Sequence, residues 1–383
     1  MHKRRGYATL AALTAVVVLI CGAIYLGVGA AQGRTAVRTP AAAPAVWVGT
    51  WSAAPVEAAA TTTGTARATA GRSIRNVVHT SIGGVAARLT LSNLLGRRPL
   101  EIAHVSLAVR AGRGPAAVPA TLRRVTFQGA EAVTTVTIHP RARQTSYVAD
   151  GDRTQDVSGD AYTGRTHAWH HLTAVDVLTR DARGAVVVVG DSITDGVTST
   201  SDANRRWPDV LADRLAHRGA SHYGVLNQGI SGNRLLAEGR GPSTLARFDR
   251  DVLARSGTRT VIVAIGINDL LHSPRTPTAD TITAGFAELA HRAHERGLRV
   301  IGATLLPCGG HRRCTPAVES VCDQVNAIVR AGGIFDAVVD FDRALRDPYA
   351  PNRLRPRYDS GDHLHPSDAG YARMAKAVDP ARL

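Results

Sequence analysis

From Gly184 onward the chain alternates between two hydrophobic patterns. The first is a short unbroken run, Ala185 to Val189, that ends in Gly190, Asp191 and Ser192. An apolar run without polar interruption suits a strand buried on both faces of a parallel sheet. Tyr223 to Leu226, Thr260 to Ile265, Leu298 to Ala303 and Ala337 to Phe341 repeat it. The second is the spacing of an amphipathic helix. Trp207, Val210, Leu211 and Leu215 make one such face, with Pro208 suited to its first turn. Leu245, Phe248, Val252 and Leu253 make another; Ile282, Phe286, Leu289 and Ala293, closed by Gly297, a third. Val318, Val321, Val325, Ile328 and Val329 make a fourth, and a terminal helix is predicted from about Ser367 to Val378. Strands alternating with helices predict an α/β domain over residues 184–383, a doubly wound, three-layer α/β/α parallel sheet.

Before Gly184 the period changes to two. Val85, Ala87, Leu89 and Leu91 alternate with Ala86, Arg88, Thr90 and Ser92. Ile74 to Ser81, Leu100 to Val109, Leu122 to Phe127, Ala132 to Ile138 and Thr173 to Thr179 are further candidate strands, separated by Gly-rich turns. With no amphipathic helix of useful length, residues 47–180 are predicted to be a smaller all-β sandwich domain. Residues 34–46, rich in Ala, Pro and Thr, read as a linker. In residues 1–33, His2, Lys3, Arg4 and Arg5 precede an apolar run from Ala8 to Ala31, about long enough to span a bilayer. Val28-Gly29-Ala30 has the small residues of a cleavage site, so a cleaved signal peptide and an uncleaved signal anchor both fit. Either one exports the rest of the chain, to be secreted or held on the outer face of the membrane.

Composition changes this picture little. The 383 residues carry a formal net charge of +15, almost wholly from arginine, since Lys3 and Lys376 are the lysines. The arginines are scattered, with no basic tract and no interleaved aromatics, which argues against a nucleic-acid partner. Contact with a membrane is expected through the N-terminal segment alone. Cys21 lies in the apolar segment, Cys308 and Cys314 bracket a Gly/Arg loop, and Cys322 follows on a predicted helix. In an oxidising compartment Cys308 and Cys314 are the expected disulfide, leaving Cys322 buried and free. These cysteines with His311 fit no common zinc spacing, and His167, His170 and His171 around Trp169 read as a solvated inter-domain loop. There is no phosphate-binding Gly loop, HExxH motif or dinucleotide fingerprint, so neither cofactor nor metal is implied.

The chemistry concentrates at predicted strand ends. Ser192 would sit at the carboxyl end of a central strand, where open α/β sheets place ligands. A serine nucleophile needs a base, and His365 has Asp362 three residues before it, in a turn ahead of a helix. That spacing lets a carboxylate hold one imidazole nitrogen while the other faces the serine. His363 with Asp359 offers a rival pair. Acyl transfer also needs donors where negative charge develops. The backbone N–H groups of Ser192 and Gly232 and the side-chain amide of Asn268 are the candidates. Asp191 and Asp269 are expected to brace loops, while Asn233 and Arg234 either touch substrate or fix their own loop.

Four stretches, GDS at 190–192, NQGISGN at 227–233, GIND at 266–269 and DHLHP at 362–366, together resemble the sequence blocks of the SGNH/GDSL hydrolase family of esterases and lipases. The resemblance covers roughly residues 185 to 380. The wider stretches GDSITDG, STSDANRRWPDVLADRL, GVLNQGISGNRLL and SGDHLHPSDAGY are similar to secreted members with an extra N-terminal β domain. It implies a flavodoxin-like sheet and a catalytic triad of Ser192, His365 and Asp362, since the family pattern D-x-x-H-P falls on Asp362, His365 and Pro366. Ser192, Gly232 and Asn268 become the oxyanion hole. The implied function is a secreted or cell-surface serine ester hydrolase working through an acyl-enzyme on Ser192, with a small-molecule, lipid or glycan ester as substrate. The loops at 231–241 and 342–360 lack a long apolar stretch, which favours short acyl groups. An acyltransferase or deacetylase acting on polysaccharide, or a carbohydrate-binding surface protein, are the alternatives.

Overall fold

A computed structural model describes residues 44–383 except 57–69, 93, 95–100, 128–132, 135–137 and 218–221. The proposed signal segment at 1–33 and most of the linker lie outside the described residues. Three strands, β1 (Val46–Ser52), β2 (Ala86–Leu91) and β3 (Leu172–Thr179), form an antiparallel sheet in the order β1-β3-β2. Five more, β4 (Ala182–Gly190), β5 (His222–Gly229), β6 (Thr258–Ala264), β7 (Arg299–Ala303) and β8 (Ala337–Val339), form a wholly parallel sheet in the order β5-β4-β6-β7-β8. The helices are α1 (Ser192–Asp195), α2 (Trp207–His217), α3 (Thr244–Phe248), α4 (Ile267–His272), α5 (Ala279–His294), α6 (Pro316–Ala331), α7 (Phe341–Leu345) and α8 (Asp368–Ala377). α2 packs with α8, which also meets α7, while α5 packs with α6 and α3, giving the helical layers of a doubly wound fold. The order reverses at β4, so the crevice outside the carboxyl ends of β4 and β6 is the topological switch point.

Why these residues build this sheet is plain from burial. Ala185 to Val189 are all 0% exposed, as an apolar run on a central strand demands. The flanking helices start on capping side chains. Thr278, Thr315 and Ser367 accept the backbone N–H groups of Thr281, Val318 and Gly370, each contact worth roughly 1 kcal/mol.

Two predicted elements are revised. The strand expected over Ala337 to Phe341 stops at Val339, because the Asp340 side chain accepts the N–H of Arg343 and opens α7 at Phe341. The helix expected through Leu245 to Leu253 is α3 followed by a π-helical turn, Asp249–Leu253. Asp251 of that turn pairs with Arg247.

The region before β4 is made of short antiparallel pieces. Besides β1-β3-β2, Arg72–Arg75 and Gly164–Thr166 flank Ser146–Asp150, and Ile138–His139 pairs with Trp169–His170. Val85, expected on an inward face, is 87% exposed beside the edge strand β2. The Trp169 segment, expected to be a solvated loop, is interior: Trp169 and His170 are buried. The Trp169 indole donates to the carbonyl of Val77 at 2.7 Å and meets Trp51 edge-on with centroids 4.8 Å apart. A tryptophan with a partner for its N–H buries readily, and this one anchors a small core of its own.

β1 runs against β5 with almost nothing between the two backbones. A methyl added at Gly224 would lie 1.9 Å from the carbonyl oxygen of Gly49, so glycine is required for this approach. The N–H of Gly49 donates to Ser256 and the edge N–H of Val225 donates to the Ser81 hydroxyl, each at 2.9 Å. Val48 joins the core of the parallel sheet. Residues Ala45–Leu383 therefore form one compact unit.

Candidate active site

The turn out of β4 has little freedom. A methyl on Gly190 would fall 2.6 Å from the carbonyl oxygen of Ala264 and closer still to Thr194, so only glycine fits. Asp191 follows, wholly buried, its side chain capping α1 by accepting the N–H of Ile193 at 3.0 Å. Burial pushes its carboxyl up to about 7; the N–H of Ile193 works against that shift and the nearby Asp269 adds to it. Ser192 is the first residue of α1, and its Oγ lies 2.8 Å from Nε2 of His365. Nδ1 of His365 lies 2.5 Å from Asp362 Oδ2. Asp362 Oδ1 accepts the backbone N–H groups of His365 at 2.8 Å and Leu364 at 3.0 Å. Burial would raise the Asp362 carboxyl, but the N–H and ring of His365 overcome it and hold the group below its usual range. A carboxylate thus faces one side of the imidazole and a hydroxyl the other.

The rival pair also forms. His363 Nδ1 lies 2.6 Å from Asp359 Oδ2, and Asp359 Oδ1 accepts the N–H of His363. His363 is half-exposed and sits where a methyl on Gly310 would touch its ring at 3.1 Å. The imidazole on Ser192 is that of His365.

The oxyanion candidates lie on the neighbouring loops. Gly232 has φ of +80° beside the Arg240 side chain. Asn268, buried in the first turn of α4, donates one amide hydrogen to the carbonyl of Asn233 at 3.1 Å, and the amide has a second to give. The Asn233 side chain is fully engaged. It donates to Arg240 and Pro242 and accepts from Thr244 and Arg247, so it fixes its loop. Asp269 accepts the N–H groups of Leu235 at 2.7 Å and Leu236 at 2.9 Å, and burial raises its carboxyl. Arg234 donates to the carbonyl of Glu238 on its own loop.

Arg247 escaped the sequence reading. Its guanidinium is wholly buried and donates to the carbonyls of Gly190 and Gln228, to Asn233 Oδ1 and to Asp251 Oδ2, all at 2.8 to 3.0 Å. One side chain thereby joins the carboxyl ends of β4 and β5 to the loop that carries Gly232. The available signal was an Arg–Asp pair at i, i+4 inside an otherwise apolar helix face.

Cys308 and Cys314 are joined by a disulfide with Cα atoms 5.8 Å apart, closing the loop that carries Gly310. Cys322 is free and buried, its thiol pushed up to about 12 chiefly by burial. Among the described residues no cluster of His, Cys, Asp and Glu could hold a metal ion. No described helix is long and apolar enough to cross a membrane.

An acid–imidazole–hydroxyl line at the switch point of a doubly wound sheet, with amide donors on adjoining loops, defines the serine-hydrolase class of site. Residues 188–373 match the GDSL-like lipase/acylhydrolase family. Solved structures similar to it include a member of the lipolytic G-D-S-L family from Veillonella parvula, 17% identical over 52% of this chain and 99% of that one, TM-score 0.41. The protein TesA is 25% identical over 51% of this chain and 95% of its own, TM-score 0.40. A mutant of a Geobacillus acetyl-xylooligosaccharide esterase is 21% identical over 51% and 92%, TM-score 0.40. No curated protein matches the chain.

Proposed function

We propose that the protein is an exported carboxylic ester hydrolase with an acyl-enzyme on Ser192, acting on a small-molecule, lipid or glycan ester with a short acyl group. The observation that carries this reading is the 2.8 Å approach of His365 Nε2 to Ser192 Oγ, with Asp362 on the far side of the ring. His365 takes the hydroxyl proton as Oγ attacks the ester carbonyl, and Asp362 stabilises the imidazolium that forms. The N–H groups of Ser192 and Gly232 and the free amide hydrogen of Asn268 hold the oxyanion. Collapse breaks the bond to the alkoxide, which leaves with the proton from His365. Water, deprotonated by the same imidazole, then releases the acid and restores Ser192.

Export is supported by the basic flank and apolar run of residues 1–33 and by the disulfide. The short acyl preference is supported by the composition of the 231–241 and 342–360 loops. Ser192→Ala should lower kcat for p-nitrophenyl acetate by at least about 1,000-fold in a protein with unchanged circular dichroism. Retained turnover would overturn the assignment. A profile of p-nitrophenyl esters from acetyl to palmitoyl tests the acyl length, and a maximum at the long end would overturn that part alone.

A further inference from the structure

Among the described residues, an ionisable side chain of the N-terminal β region reaches the helix that Ser192 begins. His139 lies at the end of the short strand Ile138–His139 and is 5% exposed. Its Nδ1 is 2.7 Å from the carbonyl oxygen of Ala54, just beyond β1, and its Nε2 is 2.9 Å from Asp195 Oδ1. Asp195 is the last residue of α1, the helix that Ser192 begins. The other Asp195 oxygen accepts the Ser231 hydroxyl at 2.5 Å, and Ser231 precedes Gly232. A continuous polar chain therefore runs from the β region, through the nucleophile helix, to the oxyanion loop.

The chemistry of the partners bears on the state of the ring. The Ala54 carbonyl only accepts, so Nδ1 carries a hydrogen, while Nε2 faces the Asp195 carboxyl, a pairing that favours the protonated ring. Burial works against that charge, but Asp195 and the Ala54 carbonyl outweigh it and raise the group above its ordinary value. Arg206 is the opposing charge nearby; it is held by Asp209 at 2.7 Å and lies over the Trp169 ring, which itself packs on His139. Asp195 is thus buried between the His139 ring and the Ser231 hydroxyl, one oxygen to each, and held in a single orientation.

We propose that His139 is a positioning residue for the reaction: through Asp195 it fixes the Ser231 hydroxyl and with it the oxyanion loop at Gly232. The inference rests on the hydrolase reading given above. In this role the β region completes the active site without touching substrate.

The test uses the full chain, p-nitrophenyl acetate, and the variants His139→Gln, Ser231→Ala and their combination. His139→Gln should lower kcat about 10- to 100-fold with KM within about twofold, a part of the loss seen when a direct oxyanion donor is removed. The double variant should be no more than about twofold worse than His139→Gln, because both changes break the same chain. A loss that multiplies fully in the double variant, or an unchanged kcat in His139→Gln, overturns the proposal. Should His139→Gln fail to fold, Ser231→Ala decides. A roughly 10-fold fall in kcat with an unchanged melting temperature supports the chain, and an unchanged kcat overturns it. Absence of ester hydrolysis in the wild type overturns the hydrolase reading and this inference with it. Hydrolysis left intact in the variants overturns this inference alone.

Discussion

The parallel sheet and the antiparallel β region solve burial in opposite ways. In β4 five consecutive residues lose all contact with water, and helices cover both faces. In β2 no residue is fully buried, and the strand forms the edge of its sheet. The first arrangement stores stability in dispersion and apolar area. The second stores little, and the region around it is held by a few long-range polar anchors. Trp169 on Val77, Thr50 on Ile82 and His139 on Asp195 are such anchors. One region supplies rigidity through bulk, and the other gains position through single side chains.

Substitutions can break this contrast. The largest effect is expected where the parallel sheet itself depends on polar anchoring. Arg247→Met removes the donor shared by Gly190, Gln228 and Asn233 and leaves Asp251 with only its contact to Arg250. Stranding buried partners in this way should cost roughly 3–5 kcal/mol in urea unfolding. A loss below about 1 kcal/mol would mean that Arg247 does not hold the strand ends.

A smaller effect separates the two regions directly. Val187→Ala, at a position wholly closed to water, should cost about 2–3 kcal/mol by transfer and cavity terms. Leu89→Ala, on the half-buried edge strand, should cost under about 1 kcal/mol despite deleting a larger side chain. Equal losses would erase the distinction drawn between the regions.

The smallest effect is one of pH. His139 has its folded value raised, so its contribution is complete below the ordinary histidine value near 6.5 and is lost as pH rises through the raised one. The melting temperature of the wild type should therefore fall between neutral and mildly alkaline pH relative to that of His139→Gln. Asp191, pushed up to about 7 by burial, bends both curves alike, and the difference between them removes it. A difference that does not change with pH would show that the ring is not charged in the fold.

The same contrast explains what the sequence alone discloses. A strand covered on both faces announces itself as an apolar run, so β4 and its neighbours were legible, and so were the chemical stretches at the ends of β4, β5 and β6. DHLHP, expected at a strand end, lies instead in the turn ahead of α8. The alternation expected in the β region was a weaker guide. β1, VWVGTWS, does not alternate because it is covered on both sides over its last five residues, and Val85 alternates yet faces water. Trp169 and its histidines look like a polar loop until the indole finds Val77. Arg247 hides in an apolar helix face. No local pattern links His139 to Asp195, since a pair 56 residues apart is made by the fold alone. His363 and His365 each had a carboxylate nearby, the family pattern D-x-x-H-P favoured His365, and that is the ring the turn carries to Ser192.

The bare crossing of Gly49 and Gly224 has a further consequence. Where two main chains touch without side chains, there is no knob to trim and no pocket to refill, so compensation by a neighbouring change is closed off. A chain shortened to the parallel sheet would leave the backbone of β5 wet along that line and would strip Val48 from its core. The part that would carry out the chemistry is thus smaller than the part that must be inherited, expressed and engineered together.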